Sequence, residues 1–206
     1  MASDKNSHLV AAAKLAKRHG VENFVAVCPL EHDLAWSEDE KSFLEKADEA
    51  QNESVSANPG MTLLKTNLVF GPQSHLIHFL AQCAIVGKAP YKNLVSKDAK
   101  FLYAPVYSED IASAIGSAGS GISTLNGPEQ LNLRQILNQL ELSAGKSEGQ
   151  TGSSLIPPID YLWDFLVGTT SDLNMSRMVE FYEENQISAP QNVVTTSQGF
   201  SDYYKA

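Results

Sequence analysis

Apolar positions in the first third of the chain alternate between helical and strand-like spacing. Residues 9–16 carry an apolar stripe at helical spacing, and His19-Gly20 follows as a typical helix end. The run Asn23–Cys28 is typical of a short strand buried on both faces. A capping sequence with acidic residues predicts a helix over 37–55, and Met61–Thr66 predicts a second buried strand. Helix–strand–helix–strand with short connections predicts parallel βαβ units and an α/β fold.

Weaker patterns continue this alternation further along the chain. Helices are predicted over 75–86, from Ser108 onward and over 131–142, because their apolar residues recur at helical spacing. Short extended segments are predicted at Phe101–Tyr103 and at Ile122–Leu125.

These elements imply three parts. Residues 1–142 are expected to form the α/β domain, and 143–155 a flexible linker, because the latter segment is rich in glycine and serine. Residues 156–206 are predicted to form a helical extension with a polar tail. The extension has large apolar side chains, which predicts an arm that docks on neighbouring proteins. These side chains are Ile159, Leu162, Trp163, Phe165 and Leu166.

Composition and charge exclude several classes of protein. The 206 residues are 43% hydrophobic and 19% charged, which is ordinary for a globular domain. The net charge of −9 does not provide a basic face, so no nucleic-acid partner is expected. No stretch approaches the roughly 20 apolar residues of a membrane span, so no transmembrane segment is expected. Cys28 and Cys83 form no CxxC pair, which excludes a disulfide framework.

Four segments together resemble the atypical and extended short-chain dehydrogenases, a family that includes NAD-dependent epimerases. Residues 11–30, AAAKLAKRHGVENFVAVCPL, are similar to the family's AAKxxGVxxFVxVSSL segment. Thr62–Pro72, TLLKTNLVFGP, is similar to its TIxRPxxVFGP strand and loop, and Val106–Ala112 to its VxVxDVA helix start. Asn126–Pro128 stands where many members have a GP pair. The resemblance implies the C-terminal half of a Rossmann-like, doubly wound parallel sheet.

The resemblance also implies functional residues that this sequence does not contain. The family binds its dinucleotide with a GxxGxxG loop after the first strand, and the 206 residues have no such motif. The first predicted helix resembles the family's fourth, so the first four strands are expected to be absent. The family's Tyr-x-x-x-Lys pair has no counterpart, because the matching window, 36–46, lacks a tyrosine. We expect no catalytic residue here and no enzyme activity from the chain by itself.

Five residues are candidates for residual cofactor contact. In the family, the end of the fifth strand and the loop after the sixth flank the nicotinamide. The corresponding residues here are Cys28, Pro29, Lys65, Thr66 and Asn67. The resemblance implies no cofactor for the chain alone, and leaves open NADP(H) shared with a partner chain that supplies the phosphate loop.

Two other features are expected to be structural. Asp110 lies near a helix start, where a carboxylate can accept hydrogen bonds from free N–H groups. His75 and His78 are three residues apart on a predicted helix, but no carboxylate or cysteine with ligand spacing accompanies them. No metal site is therefore expected.

Within the family, the nearest resemblance is to the dehydrogenase-like accessory subunits of mitochondrial NADH:ubiquinone oxidoreductase (complex I). These have a KPxxIFG strand with lysine at the position of Lys65, and an apolar stretch similar to Leu155–Pro158. The resemblance implies a non-catalytic subunit on the matrix side of the inner membrane. Its partners would be other subunits of the complex, including a chain that supplies the missing N-terminal strands.

Two further functions stay open. The chain can be the C-terminal half of a split NAD(P)-dependent reductase or epimerase that a separate N-terminal polypeptide completes. It can also be a regulatory module that senses a nucleotide without converting it. A partner chain with a GxxGxxG loop favours either of these, and a Tyr-x-x-x-Lys pair in that chain favours the enzyme.

Overall fold

A parallel four-stranded sheet lies at the centre of the fold. The computed structural model describes residues 5–29, 40–72, 74–89, 102–117, 119–153 and 193–205. The elements are α1 (Lys5–Arg18), β1 (Val25–Pro29), α2 (Glu40–Ala57), β2 (Thr62–Thr66), β3 (Val69–Phe70), α3 (His75–Val86), β4 (Lys88–Ala89), β5 (Val106–Tyr107), α4 (Ser108–Ser117), β6 (Gly121–Asn126), α5 (Leu133–Ser143), β7 (Gly152–Ser153), β8 (Val193–Thr195) and α6 (Phe200–Tyr203). The sheet has the order β1-β2-β6-β8, and each neighbouring pair is parallel.

The strand β2 is covered on both faces. Successive side chains of a strand point to opposite faces, and Leu63 and Leu64 are both fully buried. Leu63 packs in one cluster with Ala13 of α1 and Val55 of α2. Leu64 packs in another cluster with Ile111 of α4. Helices therefore cover both faces of the sheet, and the predicted Rossmann-like α/β fold is confirmed.

Among the described residues up to 143, the helices and the three longer strands follow the predicted order, whereas the two-residue strands β3, β4 and β5 were not predicted. The strands predicted at Asn23–Cys28, Met61–Thr66 and Ile122–Leu125 are β1, β2 and β6. The segment predicted to be extended at Phe101–Tyr103 has only an isolated antiparallel bridge among its described residues, between Tyr103 and Leu131.

A further core lies between α3 and α5. The helix α3 begins after Ser74, whose hydroxyl accepts a hydrogen bond from the Ile77 N–H at 3.3 Å. The helix α5 begins with a capping box, in which Asn132 and Gln135 exchange hydrogen bonds between side chain and backbone. The apolar faces of the two helices pack against each other. The buried residues there include Leu76, Leu80, Cys83, Ile136, Leu137 and Leu140.

The described C-terminal residues 193–205 are part of the domain. The strand β8 extends the sheet beside β6, and Phe200 is fully buried in the core of α3 and α5. The Phe200 ring centroid lies 5.2 Å from that of Phe70 and 4.7 Å from that of Tyr204. Burial, with a smaller contribution from Tyr203, raises the pKa of Tyr204 to about 12. Residues 193–205 of the predicted polar tail therefore pack against the α/β domain, whereas docking of 156–206 on neighbouring proteins stays a prediction.

Two carboxylates fasten this C-terminal segment to the rest of the chain. The Asp110 carboxylate accepts hydrogen bonds from the N–H groups of Ser197 and Gln198, at 3.2 and 3.1 Å. The Glu129 carboxylate accepts one from the Ser201 N–H at 2.9 Å. Asp110 thus has a structural contact, made with a remote segment. The helices predicted within 156–192 lie outside the described residues.

The segment predicted as a flexible linker is anchored by a buried carboxylate. Glu141 is fully buried and accepts hydrogen bonds from the N–H groups of Gly149 and Thr151, at 2.6 and 2.5 Å. Arg134 donates to the Thr151 carbonyl oxygen at 3.1 Å and lies 3.9 Å from Glu141. The anchors belong to the preceding helix, so the composition of the segment itself does not reveal them.

The same segment also contacts α3. The Lys146 ammonium donates to the carbonyl oxygens of Ala84 and Ile85, at 2.8 and 2.5 Å, where the last turn of a helix has free acceptors. The strand β7 pairs in parallel with β4. Residues 143–153 are thus held against two helices, whereas 154–155 lie outside the described residues.

Two stretches of backbone pass very close to each other after β6. The Gly127 N–H donates to the Ala104 carbonyl oxygen at 3.0 Å. A Cβ atom on Gly127 would lie 1.7 Å from the carbonyl oxygen of Pro105, so no side chain fits there. The glycine of the GP pair is therefore required by close packing.

Replacing Gly127 by alanine is expected to destabilise the chain by about 1–3 kcal/mol, because the methyl group must displace the Pro105 backbone. Urea unfolding followed by circular dichroism measures the change. The matched control is Gly116→Ala in α4, where an added Cβ meets no heavy atom within 4 Å. Alanine there is expected to raise the stability by up to about 1 kcal/mol. Equal losses in the two variants would contradict the close-packing explanation.

The Glu141 anchor is expected to make stability depend on pH. Burial alone would raise the pKa of Glu141, but hydrogen bonds from Thr151 and Gly149 and the charge of Arg134 lower it below 4.5. A carboxyl group with a lowered pKa stabilises the fold above its unfolded-state pKa and loses this effect as the pH falls through its folded-state pKa. Stability should therefore decrease below about pH 4.5.

Urea unfolding at pH 7 and about pH 3 tests this expectation. The variant Glu141→Gln should be less stable than the wild type at pH 7, and its stability should fall less with acidification. The exposed control Glu22→Gln should keep the wild-type dependence. A wild-type dependence in Glu141→Gln would assign the pH effect to other groups.

Candidate functional site

The predicted cofactor residues lie together at the carboxyl edge of the sheet. In the parallel pair of β1 and β2, Cys28 is opposite Lys65 and Pro29 is opposite Thr66. Thr66 is in turn opposite Leu125 of β6. Open parallel sheets bind ligands outside the carboxyl ends of their strands. The structure therefore brings the five residues to the edge where a ligand of this fold binds.

Lys65 faces the side of the sheet covered by α2. Its ammonium lies 2.7 Å from the carboxylate of Asp48 on that helix, and both side chains are partly exposed. Exposed ion pairs of this kind contribute at most about 1 kcal/mol to stability. The pair directs the Lys65 side chain towards the helix.

Thr66 faces the opposite side and is buried. In the part of the chain that the structure describes, its hydroxyl is enclosed and has no hydrogen-bond partner. An unsatisfied buried polar group costs about 1–3 kcal/mol. The Thr66 hydroxyl is thus an enclosed donor and acceptor near the carboxyl edge that has no partner among the described residues.

Asn67 braces this edge instead of presenting its side chain to a ligand. Its amide oxygen accepts hydrogen bonds from the N–H groups of Leu68 and Ala104, at 2.8 and 3.1 Å. Its amide nitrogen donates to the Asn126 side-chain oxygen at 3.4 Å, and its backbone N–H donates to the Leu125 carbonyl oxygen at 3.1 Å. The side chain therefore joins the ends of β2 and β6 to the segment before β5.

Sequence reasoning did not single out Asp48 or the Asn126 side chain. That Lys65 and Thr66 lie on opposite faces of the sheet could be predicted from strand alternation, but the partner of Lys65 could not. No local signal connects Asn67 with Asn126, since their contact depends on the pairing of two strands far apart in the chain.

The first tyrosine of the sequence is Tyr91, so the window at 36–46 contains none.

The described residues contain neither a cluster of metal ligands nor a candidate membrane span. No three His, Cys, Asp or Glu side chains in these ranges are grouped as metal ligands would be. His78 is exposed on α3. No helix within the same ranges has the length and apolar character to cross a membrane.

No protein-family model matches the sequence, and no curated protein matches it. Solved structures do match the fold. A UDP-N-acetylglucosamine 4-epimerase from Bacillus cereus aligns with a TM-score of 0.52 and 14% identity, over 91% of this chain and 72% of that one. The chain has a Rossmann-like α/β fold, which it shares with solved structures of epimerases, dehydratases and a reductase.

Two more solved structures illustrate this range. A dTDP-glucose 4,6-dehydratase from Bacillus anthracis, in complex with NAD, has a TM-score of 0.52 at 14% identity and matches 86% of this chain and 67% of its own. A dTDP-4-dehydrorhamnose reductase from Clostridium acetobutylicum has a TM-score of 0.53 at 9% identity, with 84% and 70% covered. Identities this low show a shared fold alone.

Whether stability rises or falls when the Thr66 hydroxyl is removed tests whether that hydroxyl has a hydrogen-bond partner. The variant Thr66→Val keeps the shape of the side chain and removes a buried group that lacks a partner. We expect it to stabilise the chain by about 1 kcal/mol, since the desolvation penalty disappears. Urea unfolding measures the change, with Thr124→Val as the control on a half-buried position of β6. A loss of stability specific to Thr66→Val would show that the hydroxyl has a partner.

Proposed function

We propose that the chain is the C-terminal half of a split NAD(P)-dependent reductase or epimerase, and that a separate N-terminal polypeptide supplies the strands with the glycine-rich phosphate loop. By itself, the chain carries out no hydride transfer. The proposal rests on one observation above all, which is the position of β1 in the sheet.

The strand β1 is at the edge of the four-stranded sheet. Its Val27 is 37% exposed, whereas Leu63 and Leu64 in the neighbouring strand are fully buried. Apolar strands of parallel sheets are normally covered on both sides, and an exposed edge of this kind invites pairing with another chain. A further parallel strand at this edge would cover Val27 and continue the sheet.

The carboxyl edge fits a dinucleotide that such a pair of chains would share. The enclosed Thr66 hydroxyl has no partner among the described residues, so a polar ligand group that reached it would complete its hydrogen bonding. Cys28 and Pro29 lie on the neighbouring strand. The Asn67 side chain joins the ends of β2 and β6 at this edge. Lys65 is engaged by Asp48 and is not needed for this contact. The nicotinamide would supply the hydride, and this chain would bind and orient it.

The similar folds support the same class of function. One solved structure is a Thermus thermophilus UDP-glucose 4-epimerase in complex with NAD, with a TM-score of 0.50 at 15% identity. Together with the dehydratase in complex with NAD, it favours NAD(P) as the cofactor of the completed protein.

A second candidate is a non-catalytic accessory subunit of complex I on the matrix side of the mitochondrial inner membrane. The Lys65–Asp48 ion pair favours it, because the lysine that carries this resemblance makes a structural contact with α2. In this case the added strands would come from another subunit of the assembly.

The deciding experiment is reconstitution with the polypeptide that co-purifies with the chain from its native source. We expect that polypeptide to contain a GxxGxxG loop, and the two chains together to enhance NADPH fluorescence while the isolated chain does not. The variant Val27→Lys should weaken their association at least about tenfold, because it places a charge at the shared sheet edge. The matched control is Val194→Lys on the opposite edge strand β8, which should assemble as the wild type.

Three outcomes would contradict the split enzyme. The first would be a native partner without a dinucleotide loop, and the second would be normal assembly of Val27→Lys. The third would be a native chain with an intact mass well above 22.4 kDa, which would then carry the added strands itself. Co-migration with complex I on native gels, without NADPH binding, would support the second candidate.

A further inference from the structure

The one Asn-Gly pair of the sequence, Asn126-Gly127, lies where β6 ends. In such a pair the backbone nitrogen of the glycine can attack the side-chain carbonyl carbon of the asparagine, because no side chain on the glycine shields that nitrogen. A succinimide ring forms, and the amide nitrogen leaves as ammonia with the proton of the backbone nitrogen. Water then opens the ring to aspartate or to isoaspartate, in which the main chain runs through the former side chain.

The fold opposes this reaction at three points. Asn126 pairs with Thr195 in a parallel strand, where ψ is about +115°, whereas the ring requires a negative ψ. The Gly127 N–H donates to the Ala104 carbonyl oxygen at 3.0 Å, and this bond is lost when the nitrogen attacks. The Asn126 side-chain oxygen accepts a hydrogen bond from the Asn67 amide at 3.4 Å, which holds the carbonyl group in place.

The isoaspartate product does not fit where the asparagine does. It adds one carbon to the main chain directly before Gly127, which is buried. A Cβ atom on Gly127 would overlap the Pro105 carbonyl oxygen, so the glycine has no room to move towards that backbone. The added carbon would therefore break the bond to Ala104 or the one to Asn67. A chain with isoaspartate at this position cannot restore the end of β6.

We propose that Asn126-Gly127 is a deamidation site that the fold protects, and that isoaspartate there records chains in which the end of β6 has opened. Water is the one co-reactant, and no electrons are exchanged. The rate in the folded chain is the rate in an unfolded chain multiplied by the fraction of time for which this end is open. The site is independent of the split enzyme, because it involves neither the β1 edge nor a cofactor.

Hydroxylamine cleaves the succinimide of an Asn-Gly pair and so measures how open the site is. The full chain, with the polypeptide that co-purifies with it, is treated in native buffer and in guanidinium chloride. The unfolded chain should yield fragments 1–126 and 127–206, and the folded chain should yield them at least about tenfold more slowly. Asn126→Gln should yield neither fragment. Equal rates in the two solvents, with the chain folded by circular dichroism, would overturn the proposal.

A second measurement assigns the opening to the contacts around β6. Trypsin releases peptide 101–134, in which isoaspartate at Asn126 is measured against Asn132, whose following leucine hinders the same attack. The variant Asn67→Asp keeps both acceptors for its backbone partners but cannot donate to Asn126. It should raise isoaspartate formation in native buffer about threefold to tenfold.

The matched control is Glu141→Gln, which weakens a remote anchor and should leave this rate unchanged. An equal rise in the two variants would assign the reaction to global unfolding and overturn local opening. Refolding tests the product: isoaspartate-containing chains should be depleted from the folded fraction at least about threefold. Asn126→Asp, which adds the charge without the extra carbon, should refold as the wild type. Equal refolding of the isoaspartate chains would contradict the proposed misfit.

Discussion

Burial of two consecutive leucines, Leu63 and Leu64, on opposite faces of one strand is the constraint from which the rest of the structure follows. A strand with apolar side chains on both faces needs neighbours along both edges and a layer of helices above and below it. The neighbours of β2 along its two edges are β1 and β6, and the helices α1, α2 and α4 form the layers on its two faces. Because the neighbouring strands are parallel, their carboxyl ends meet at one edge, where the candidate site lies.

The regular elements of this arrangement could be predicted because their signals are local. Helical spacing and capping residues mark α3 and α5, and short apolar runs mark β1, β2 and β6. Each of these signals lies within one element. The C-terminal segment has no such signal. Phe200 belongs to the core because the fold brings it beside Phe70 in space. The strand β8 has three exposed residues and depends on β6 for its hydrogen bonds.

In the segment after α5, the local sequence predicts flexibility where contacts with the rest of the fold impose order. Its glycine and serine content is typical of a flexible linker, yet Glu141, Arg134 and Lys146 hold it in place. At the site, parallel pairing made the convergence of the five residues predictable. It did not reveal their separate roles. The ion pair of Lys65, the enclosed Thr66 hydroxyl and the brace formed by Asn67 depend on which neighbours the fold provides.

The fastening of the C-terminal segment has a consequence for the rate of folding. The bond from Gln198 to Asp110 spans 88 residues, that from Ser201 to Glu129 spans 72, and that from Ser143 to the Tyr204 carbonyl oxygen spans 61. Each contact requires a long loop to close before any stabilisation is gained, and chains rich in such contacts fold slowly. Until closure, β6 keeps an open edge, and Phe70 keeps Tyr107 as an aromatic neighbour but lacks Phe200. We therefore expect slow closure of this segment to lengthen the time for which the β6 edge can pair with other chains, and so to raise the need for chaperones.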